Sequence, residues 1–460
     1  MTEATEEKEL IERTKKLSIE EGSIYSLSEG FGHRYITPYA LAIGASNFCI
    51  GVLSSLPSLA GNFSQLFTAK VLEKESRKKV VFLGTFLQGL MWLLIIFLGV
   101  LYFIFHQKSI APFLLVFIYT LLVIFGAFVS PAWNSWMKDV VTEKRGVYFA
   151  KRNRIMNFII LVSMLIAGFI LDYFKKTYLF LGFVILFSIA FLARTSSSFM
   201  FKKMHEPKLK LEKGYYFSFW QFLKEAPKRN FGRFTIFVSL ITFSTAIASP
   251  FFAVYMLKHL NFSYTQWITV VIAASSASLI SLFFWGKFTD KFGNLKANKL
   301  CSFLLPLCVL PWLATPFISK NLLFPYLVTI EFFSGLVWAG FNLSSTNFIY
   351  DAVTSQRIAL CIAYFNMLNG VGTFLGATLG GLIASSPLIF GFSSILFLFL
   401  LSGILRFFVA LTMTKSIKEV REVEKFEIKR IKKVMTTLTP NGLLKYFGIG
   451  LKAIKPRPTS

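Results

Sequence analysis

Residues 79–105 read KVVFLGTFLQGLMWLLIIFLGVLYFIF, an apolar run whose one charged side chain is Lys79 at its start. An α-helix rises about 1.5 Å per residue, so about 20 apolar residues cross the hydrocarbon core of a bilayer. Within that core the backbone must satisfy its own hydrogen bonds, which a single segment does only as a helix. This stretch therefore predicts a transmembrane helix.

The composition of the whole chain agrees with a membrane protein. Of its 460 residues, 55% are apolar and 16% are charged, and the mean hydropathy is +0.61. A soluble protein carries about 25% charged residues. The formal net charge of +26 lies mainly between the apolar runs, where Lys and Arg orient a membrane protein. We find no recognition module for nucleic acid in the sequence, so no nucleic-acid partner is expected.

Twelve segments are mainly apolar over about 20 residues or more, which predicts an all-α integral membrane protein with twelve transmembrane helices. The first is interrupted by Glu29, His33 and Arg34. The predicted spans are 23–46, 47–70, 79–105, 111–137, 154–174, 177–200, 232–257, 264–288, 296–317, 321–350, 358–385 and 391–414.

The basic connections predict the orientation. They fall on one side of the membrane, so both termini, 1–22 and 415–460, are expected in the cytoplasm of a plasma-membrane protein. Residues 1–22 show no cleavable signal pattern. The linker 201–231 resembles an interfacial helix with Tyr215, Tyr216, Phe219 and Trp220 at the lipid boundary. The tail from Lys415 is predicted to begin with an amphipathic helix, and anionic lipids are the expected partners of both segments.

The chain repeats itself at an offset of 212 residues. Polar residues of the first half recur in the second, and the pairs include Asp139 with Asp351, Arg145 with Arg357, Asn157 with Asn369 and Arg194 with Arg406. Such a repeat predicts two pseudo-symmetric six-helix bundles, 23–200 and 232–414. Transporters built from repeats place their sites between them, near the middle of the membrane.

One motif lies between the eighth and ninth predicted spans. It is GKFTDKFGNLK (286–296), with Gly286, Asp290, Lys291 and Gly293. It resembles the G-x-x-x-D-R/K-x-G signature of the major facilitator superfamily, and together with the twelve spans and the repeat it makes the chain similar to that family throughout 23–415. The first-half copy is degenerate, with Glu73 and Lys74 at the charged positions. The resemblance implies a secondary transporter whose spans 1, 4, 7 and 10 line a central cavity and whose motif closes the cytoplasmic side.

Elementary chemistry supports a gate at the motif. A glycine at a helix end lets a neighbouring backbone approach, and a nearby carboxylate favours the positive N-terminus of that neighbour. Gly372, Gly376 and Gly380 form a ridge in the eleventh span that is suited to such contact. Two further pairs, Asp139 with Arg145 and Asp351 with Arg357, either bridge their connections or are solvated loop charges. We read Lys74, Arg77, Lys78 and Lys79 as ordinary positive-inside charge.

Ionisable residues inside the spans are the leading candidates for function, because each costs at least ~2.5 kcal/mol in hydrocarbon. Glu331 lies close to mid-membrane in the tenth span. With the cavity that the resemblance implies, Glu331, together with Glu29 or His33, is expected to bind a proton or another cation. Arg34 then faces an anionic group or balances the acids. A structural buried ion pair is the competing interpretation.

Weaker candidates line the remaining predicted cavity. Trp133, Asn134, Asn342 and Asn347 lie near the inner ends of the fourth and tenth spans. Asn157 and Asn369 are expected to cross-link helices more often than to touch cargo. Arg194 and Arg406 are predicted to snorkel to lipid phosphates.

The function predicted from these features is secondary active transport of a small organic solute by a monomer. The sequence lacks a phosphate-binding GxxxxGK[ST] loop, so an ion gradient is the expected driving force, with a lean to efflux from analogy of fold. A lipid-modifying membrane enzyme would need clustered catalytic residues, and a receptor or scaffold on the same fold is a further alternative. No cofactor or metal is expected, since Cys49, Cys301, Cys308 and Cys361 lack ligand spacing.

Overall fold

The computed structural model describes residues 3–105, 110–143, 145–176, 178–207, 219–353, 358–386, 388–389 and 392–423. These ranges are helical apart from short connections and one antiparallel pairing of two-residue strands, β1 (Leu388–Ile389) with β2 (Phe392–Ser393). Ten of the described helical segments are long and apolar enough to cross a membrane, and they coincide with the last ten predicted spans. The chain is therefore an all-helical, multi-pass membrane protein.

Seven helices and one short helical break form the first part of the chain. They are α1 (Glu3–Phe31), a 3-10 turn (His33–Tyr35), α2 (Ile36–Ala42), α3 (Asn47–Leu72), α4 (Arg77–Phe103), α5 (Ala111–Val140), α6 (Arg145–Phe174) and α7 (Leu179–Lys203). Ser46 and Ser76 cap α3 and α4 by accepting hydrogen bonds from backbone N–H groups of their first turns.

Eight helices follow. They are α8 (Phe219–Glu225), α9 (Asn230–Ala246), α10 (Phe251–Val254) with a π-helical extension (Tyr255–His259), α11 (Tyr264–Phe292), α12 (Asn294–Leu304), α13 (Lys320–Ala352), α14 (Ile358–Ala384) and α15 (Ser394–Met413). After α12 the chain continues as 3-10 helix, Leu305–Cys308 and Leu310–Phe317. Pro306, Pro311 and Pro316 lie in this stretch, where each removes a backbone donor.

The first predicted span differs most from the structure. Helix α1 begins at Glu3, so the predicted boundary between a cytoplasmic segment 1–22 and a span at residue 23 is not a break in the helix. The break comes instead at His33–Tyr35, inside the predicted span. Side chains of the early residues explain the continuity, because Thr14, Ser18 and Glu21 are buried against other helices.

The two ends of the bundle are packed differently. We call the end with Arg77 and Asp139 the basic end and the opposite end, with Asp172, the far end. At the far end one apolar core includes residues of both halves, for example Tyr35, Trp92, Ile247 and Trp312. At the basic end the halves have separate cores, one around Trp136 and one around Trp285. The halves are thus joined at the far end.

The glycine ridge of α14 is confirmed as a close helix contact. A Cβ at Gly372, Gly376 or Gly380 would meet backbone carbonyls of Ser239, Phe243 or Ile247 in succession. The partner is the α9 segment and its continuation within the same half, so the ridge is not in contact with the motif. It fixes two helices of one half against each other.

The linker and the tail are only partly described. Tyr215 and Tyr216 lie outside the described residues, whereas α8 holds an exposed Trp220 and a buried Phe222 that packs against Tyr364. The amphipathic helix predicted from Lys415 is wrong for the part described. Residues 417–423 are not helical, and the side chain of Ile417 is buried in the core of the second half.

Candidate functional site

A cavity of about 510 Å³ lies between the two halves near the middle of the predicted spans. Helices α6, α11 and α13 and the segments around α2 and α10 contribute to its wall. Its polar lining includes Arg34, Asn157, Thr245, Ser249, Glu331 and Arg406. The structure therefore brings Arg34 and Glu331 to one chamber, although almost 300 residues separate them in sequence.

The break after α1 aims Arg34 into this cavity. A Cβ at Gly32 would collide with the ring of Trp92, so the chain passes that indole closely only with glycine there. Nε of Arg34 lies 3.6 Å from Oε1 of Glu29, and the side chain of Arg34 remains 47% exposed. Tyr25 donates a hydrogen bond of 3.3 Å to the other oxygen of Glu29. Glu29 therefore positions Arg34, whose guanidinium still faces the chamber.

His33 faces a different space. It lines a second cavity of about 380 Å³ within the first half, together with Tyr119, Ser54 and Asn62. Nδ1 of His33 lies 3.2 Å from the hydroxyl of Tyr119, and its ring meets Trp92 edge to face at 5.2 Å. His33 is not among the residues that line the cavity of Glu331. The predicted grouping of these two side chains is therefore not formed.

Arg406 does not snorkel to lipid, so that prediction is wrong. It is only 2% exposed, lines the central cavity and donates a hydrogen bond of 3.2 Å from Nη1 to the carbonyl of Leu305. Its Nε has no hydrogen-bond partner among the described residues. The cavity wall therefore holds a guanidinium beside Glu331.

Arg194, the counterpart of Arg406, is also buried, and its predicted contact with lipid is wrong as well. Its Nε donates to Oε1 of Gln88 at 2.6 Å, and its Nη1 lies 3.7 Å from Oε1 of Glu21. Arg152 reaches the other oxygen of Glu21 at 3.2 Å. One buried carboxylate thus serves two buried arginines in the first half. Sequence reasoning missed Glu21 because it placed this residue in a soluble segment.

Of the weaker candidates for the cavity lining, only one lines the central cavity. Asn157 lines the central cavity, whereas Asn369 accepts a hydrogen bond of 3.4 Å from Thr242 and links α14 to α9, as expected. The other four are not among the residues that line the central cavity. Trp133 lies under the guanidinium of Arg152 at 4.6 Å, Asn134 and Asn342 are exposed, and Asn347 is half-buried.

A network of charged side chains links the helices of the first half to one another at the basic end. The side chain of Arg77 is 0% exposed, and its Nη1 lies 2.6 Å from Oδ2 of Asp139. Its Nε and backbone N–H both donate to Oε1 of Glu206, at 3.3 and 2.9 Å. Arg77 is therefore a buried structural residue, and its interpretation as ordinary positive-inside charge is wrong. The side chain of Arg145 lies outside the described residues, so its pairing with Asp139 stays a prediction.

The second half repeats this arrangement with different groups. Asn294 donates a hydrogen bond of 2.6 Å to Oδ2 of Asp351, and Nε of Arg421 lies 3.1 Å from the same oxygen. Glu419 accepts from the backbone N–H of Leu295 at 2.8 Å, as Glu206 accepts from Arg77. Arg357, the predicted partner of Asp351, lies outside the described residues.

The motif residues lie beside this second network. Gly293 has φ +95°, a left-handed conformation that favours glycine, and a Cβ there would collide with Glu419. A Cβ at Gly286 would meet no atom within 4 Å, so no backbone approaches this glycine in the present conformation. Asp290 is exposed, and the ammonium of Lys291 lies 5.6 Å from the ring centroid of Phe292. In the degenerate copy, Glu73 and Lys74 are exposed.

The described residues hold no group of three or more His, Cys, Asp or Glu side chains that could bind a metal ion.

Comparisons with known proteins agree with this architecture. The family model described as Major Facilitator Superfamily matches residues 26–346 and 234–455. An uncharacterized MFS-type transporter of Methanocaldococcus jannaschii is 25% identical over 367 residues, which cover 78% of this chain and 88% of that protein.

Three solved structures have a similar fold. A mutant of the nucleoside transporter NupG has a TM-score of 0.69 at 15% identity, covering 87% of this chain and 100% of its own. The D-xylose–proton symporter has a TM-score of 0.69 at 11% identity, with coverages of 89% and 99%. A bacterial homologue of the iron transporter ferroportin, in an inward-facing state, has a TM-score of 0.65 at 13% identity, with coverages of 87% and 98%.

Proposed function

The chain belongs to the major facilitator superfamily, and on that premise we propose that it moves a small organic solute by alternating access. The family and the relatives found are transporters, so the chain is a transporter and not an enzyme. The proposal includes twelve transmembrane helices in two six-helix halves, residues 23–200 and 232–414, with α1–α2 and α3 as the first two. In each cycle the halves rock about the cavity between them.

The observation that carries the proposal is the shared chamber of Arg34 and Glu331. Each residue comes from a different half, and both line a cavity of about 510 Å³. Sites for small molecules commonly measure about 300–1,000 Å³. Since ionisable side chains at this depth cost free energy, their convergence on one chamber favours a role in binding over a role in packing.

The two charges take different parts in the proposal. Glu331 binds and releases a proton or another cation, and an ion gradient drives transport. Arg34 faces an acidic group of the solute while Glu29 holds its guanidinium in place, since Nε and Oε1 lie 3.6 Å apart. A structural buried ion pair would shield both charged groups from the cavity, whereas 47% of the Arg34 side chain is accessible.

The packing of the two ends supports a direction for the opening. One core joins the halves at the far end, and separate cores lie at the basic end. We propose that the basic end faces the cytoplasm of a plasma-membrane protein, with both termini there, and that this conformation opens inward. Efflux is the proposed direction of transport, by a monomer whose basic linker and tail attract anionic lipids.

The test is flux in proteoliposomes. A thermal-shift screen of metabolites and drugs identifies a ligand, and its transport is then measured under an imposed pH gradient. Glu331→Gln should bind the ligand yet lose transport driven by the gradient, while Glu225→Gln, an exposed helix-surface change, should transport like the wild type. Binding without flux in the wild-type protein would overturn the proposal and indicate a receptor. Unchanged flux in Glu331→Gln would remove Glu331 from the coupling mechanism.

A further inference from the structure

Asp172 joins the two halves at the far end. It lies two residues before the end of α6, and its oxygens accept hydrogen bonds from the first two backbone N–H groups of α11. Oδ1 accepts from Tyr264 and Oδ2 from Thr265, each at 2.8 Å. One carboxylate of the first half therefore holds the start of a 29-residue helix of the second half.

These bonds complete the N-terminus of α11. The first N–H groups of a helix have no partner within it. Here Ser263 accepts from the third N–H group, that of Gln266, at 3.1 Å, and the Gln266 side chain accepts from Ser263 in return. Only Tyr264 and Thr265 then depend on an outside acceptor, and Asp172 supplies both oxygens. Separation of the halves would break both hydrogen bonds. It would leave two backbone donors and a half-buried carboxylate without a protein partner, which costs free energy.

The packing around Asp172 is close on one side and open on the other. One turn earlier in α6, a Cβ at Gly168 would lie 3.2 Å from Cα of Thr265, so α6 and α11 touch here. Tyr35 and Trp267 meet edge to face at 5.4 Å beside this contact. Toward the basic end the same two helices part, and their residues Asn157 and Ser278 line the central cavity.

We infer that Asp172 is a gating residue of the transport cycle, one that closes the cavity toward the far end by capping α11. The inference rests on the proposed function. The cavity opens to the far end only when α6 and α11 separate there, and that step breaks both hydrogen bonds of Asp172. Replacement of the carboxylate therefore shifts the conformational equilibrium toward the state that is open at the far end.

The experiment measures the separation of the halves with spin labels. Tyr178→Cys and Phe317→Cys place labels on exposed far-end positions of the first and second half, 72% and 90% accessible, while the four native cysteines are buried. The labelled protein should give one short distance. Asp172→Ala should add a longer population, and Asp172→Asn, which keeps one acceptor oxygen, should add a smaller one.

Lys175→Ala is the matched control. Its ammonium lies 5.7 Å over the ring of Tyr264, at the same contact, but within the part of the chain that the structure describes it forms no hydrogen bond with the backbone at the start of α11. The control should keep the wild-type distances. An unchanged distribution in folded Asp172→Ala would overturn the inference.

A measurement on the wild-type protein needs no substitution at Asp172. Hydrogen–deuterium exchange at Tyr264 and Thr265 should be slow, because both amides are bonded in the closed far end. Exchange there as fast as at exposed Asn261 would also overturn the inference. The distances and the exchange do not depend on a solute. A failure of flux with a shifted distance distribution would therefore contradict the proposed function and leave the role of Asp172 intact.

Discussion

Nη1 of Arg77 lies 2.6 Å from Oδ2 of Asp139, and the arginine side chain is fully buried. Asp351 is the counterpart of Asp139 in the second half, and it accepts a hydrogen bond of 2.6 Å from Asn294. Both donors stand at the start of a helix, α4 or α12, and both acceptors stand near the end of the helix that follows in the bundle. Each half is thereby fastened at its basic end, independently of the other.

Loss of Arg77 should destabilise the first half. Arg77→Gln removes the ion pairs with Asp139 and Glu206, and both carboxylates are partly shielded from water. We expect a loss of about 2 kcal/mol, between the values typical of exposed and of buried pairs. Thermal unfolding in detergent measures it, with Lys74→Gln, an exposed change on the same connection, as the control. Equal melting temperatures of the two variants would contradict the structural role of Arg77.

Neutralising Glu21 should cost more than neutralising its neighbour Glu20. Glu21 is 3% exposed and faces Arg152 and Arg194, so Glu21→Gln leaves two buried guanidinium groups without a carboxylate. Breaking such a buried pair costs about 3–5 kcal/mol. Glu20 is exposed, and Glu20→Gln should change stability by about 0.5 kcal/mol or less. The comparison uses unfolding monitored in the same detergent, and similar losses in both variants would be inconsistent with the buried cluster.

Two glycines should respond to alanine in opposite directions. At Gly376 the new Cβ would collide with the carbonyl of Phe243, and such overpacking costs about 1–3 kcal/mol. At Gly286 it would meet open space, so Gly286→Ala should gain about 0.5–1 kcal/mol from helix propensity.

The Gly286→Ala variant also tests the motif as a gate. If a neighbouring backbone approaches Gly286 only when the basic end closes, Gly286→Ala should fold well and transport several-fold more slowly. Transport at the wild-type rate by this variant would show that Gly286 is not approached during the cycle.

The sequence was sufficient for the long spans because each is a mainly apolar run of membrane-crossing length, and such a run can be recognised without knowledge of its neighbours. It was insufficient for the buried charges. Arg194 near a helix end is ordinarily exposed to lipid headgroups, and only its distance of 3.7 Å from Glu21, in a segment read as soluble, reverses that interpretation. Asp172 was missed for a different reason. Its partners are backbone N–H groups, and these give no signal in the pattern of side chains.

Arg34 and Glu331 were predicted because charges within apolar spans are costly, and because the resemblance to the family implied that their spans line one cavity. The pairing of His33 with Tyr119 was not predictable from periodicity. It depends on the 3-10 break at His33–Tyr35, which directs neighbouring side chains to different cavities.

Arg34 should determine affinity for acidic solutes. Arg34→Gln keeps a polar side chain but removes the charge, so half-saturation of an acidic ligand should require at least about tenfold more ligand, or about 1.4 kcal/mol. Arg34→Lys keeps the charge without the planar set of donors and should fall between. Concentration series of transport and of thermal shift measure both, with Arg229→Gln, an exposed pair member outside the cavity, as the control. If half-saturation is unchanged in folded Arg34→Gln, the guanidinium only balances Glu29, and the acidic group of the solute must be recognised elsewhere in the chamber. A loss confined to the maximal rate would instead place Arg34 in the conformational step.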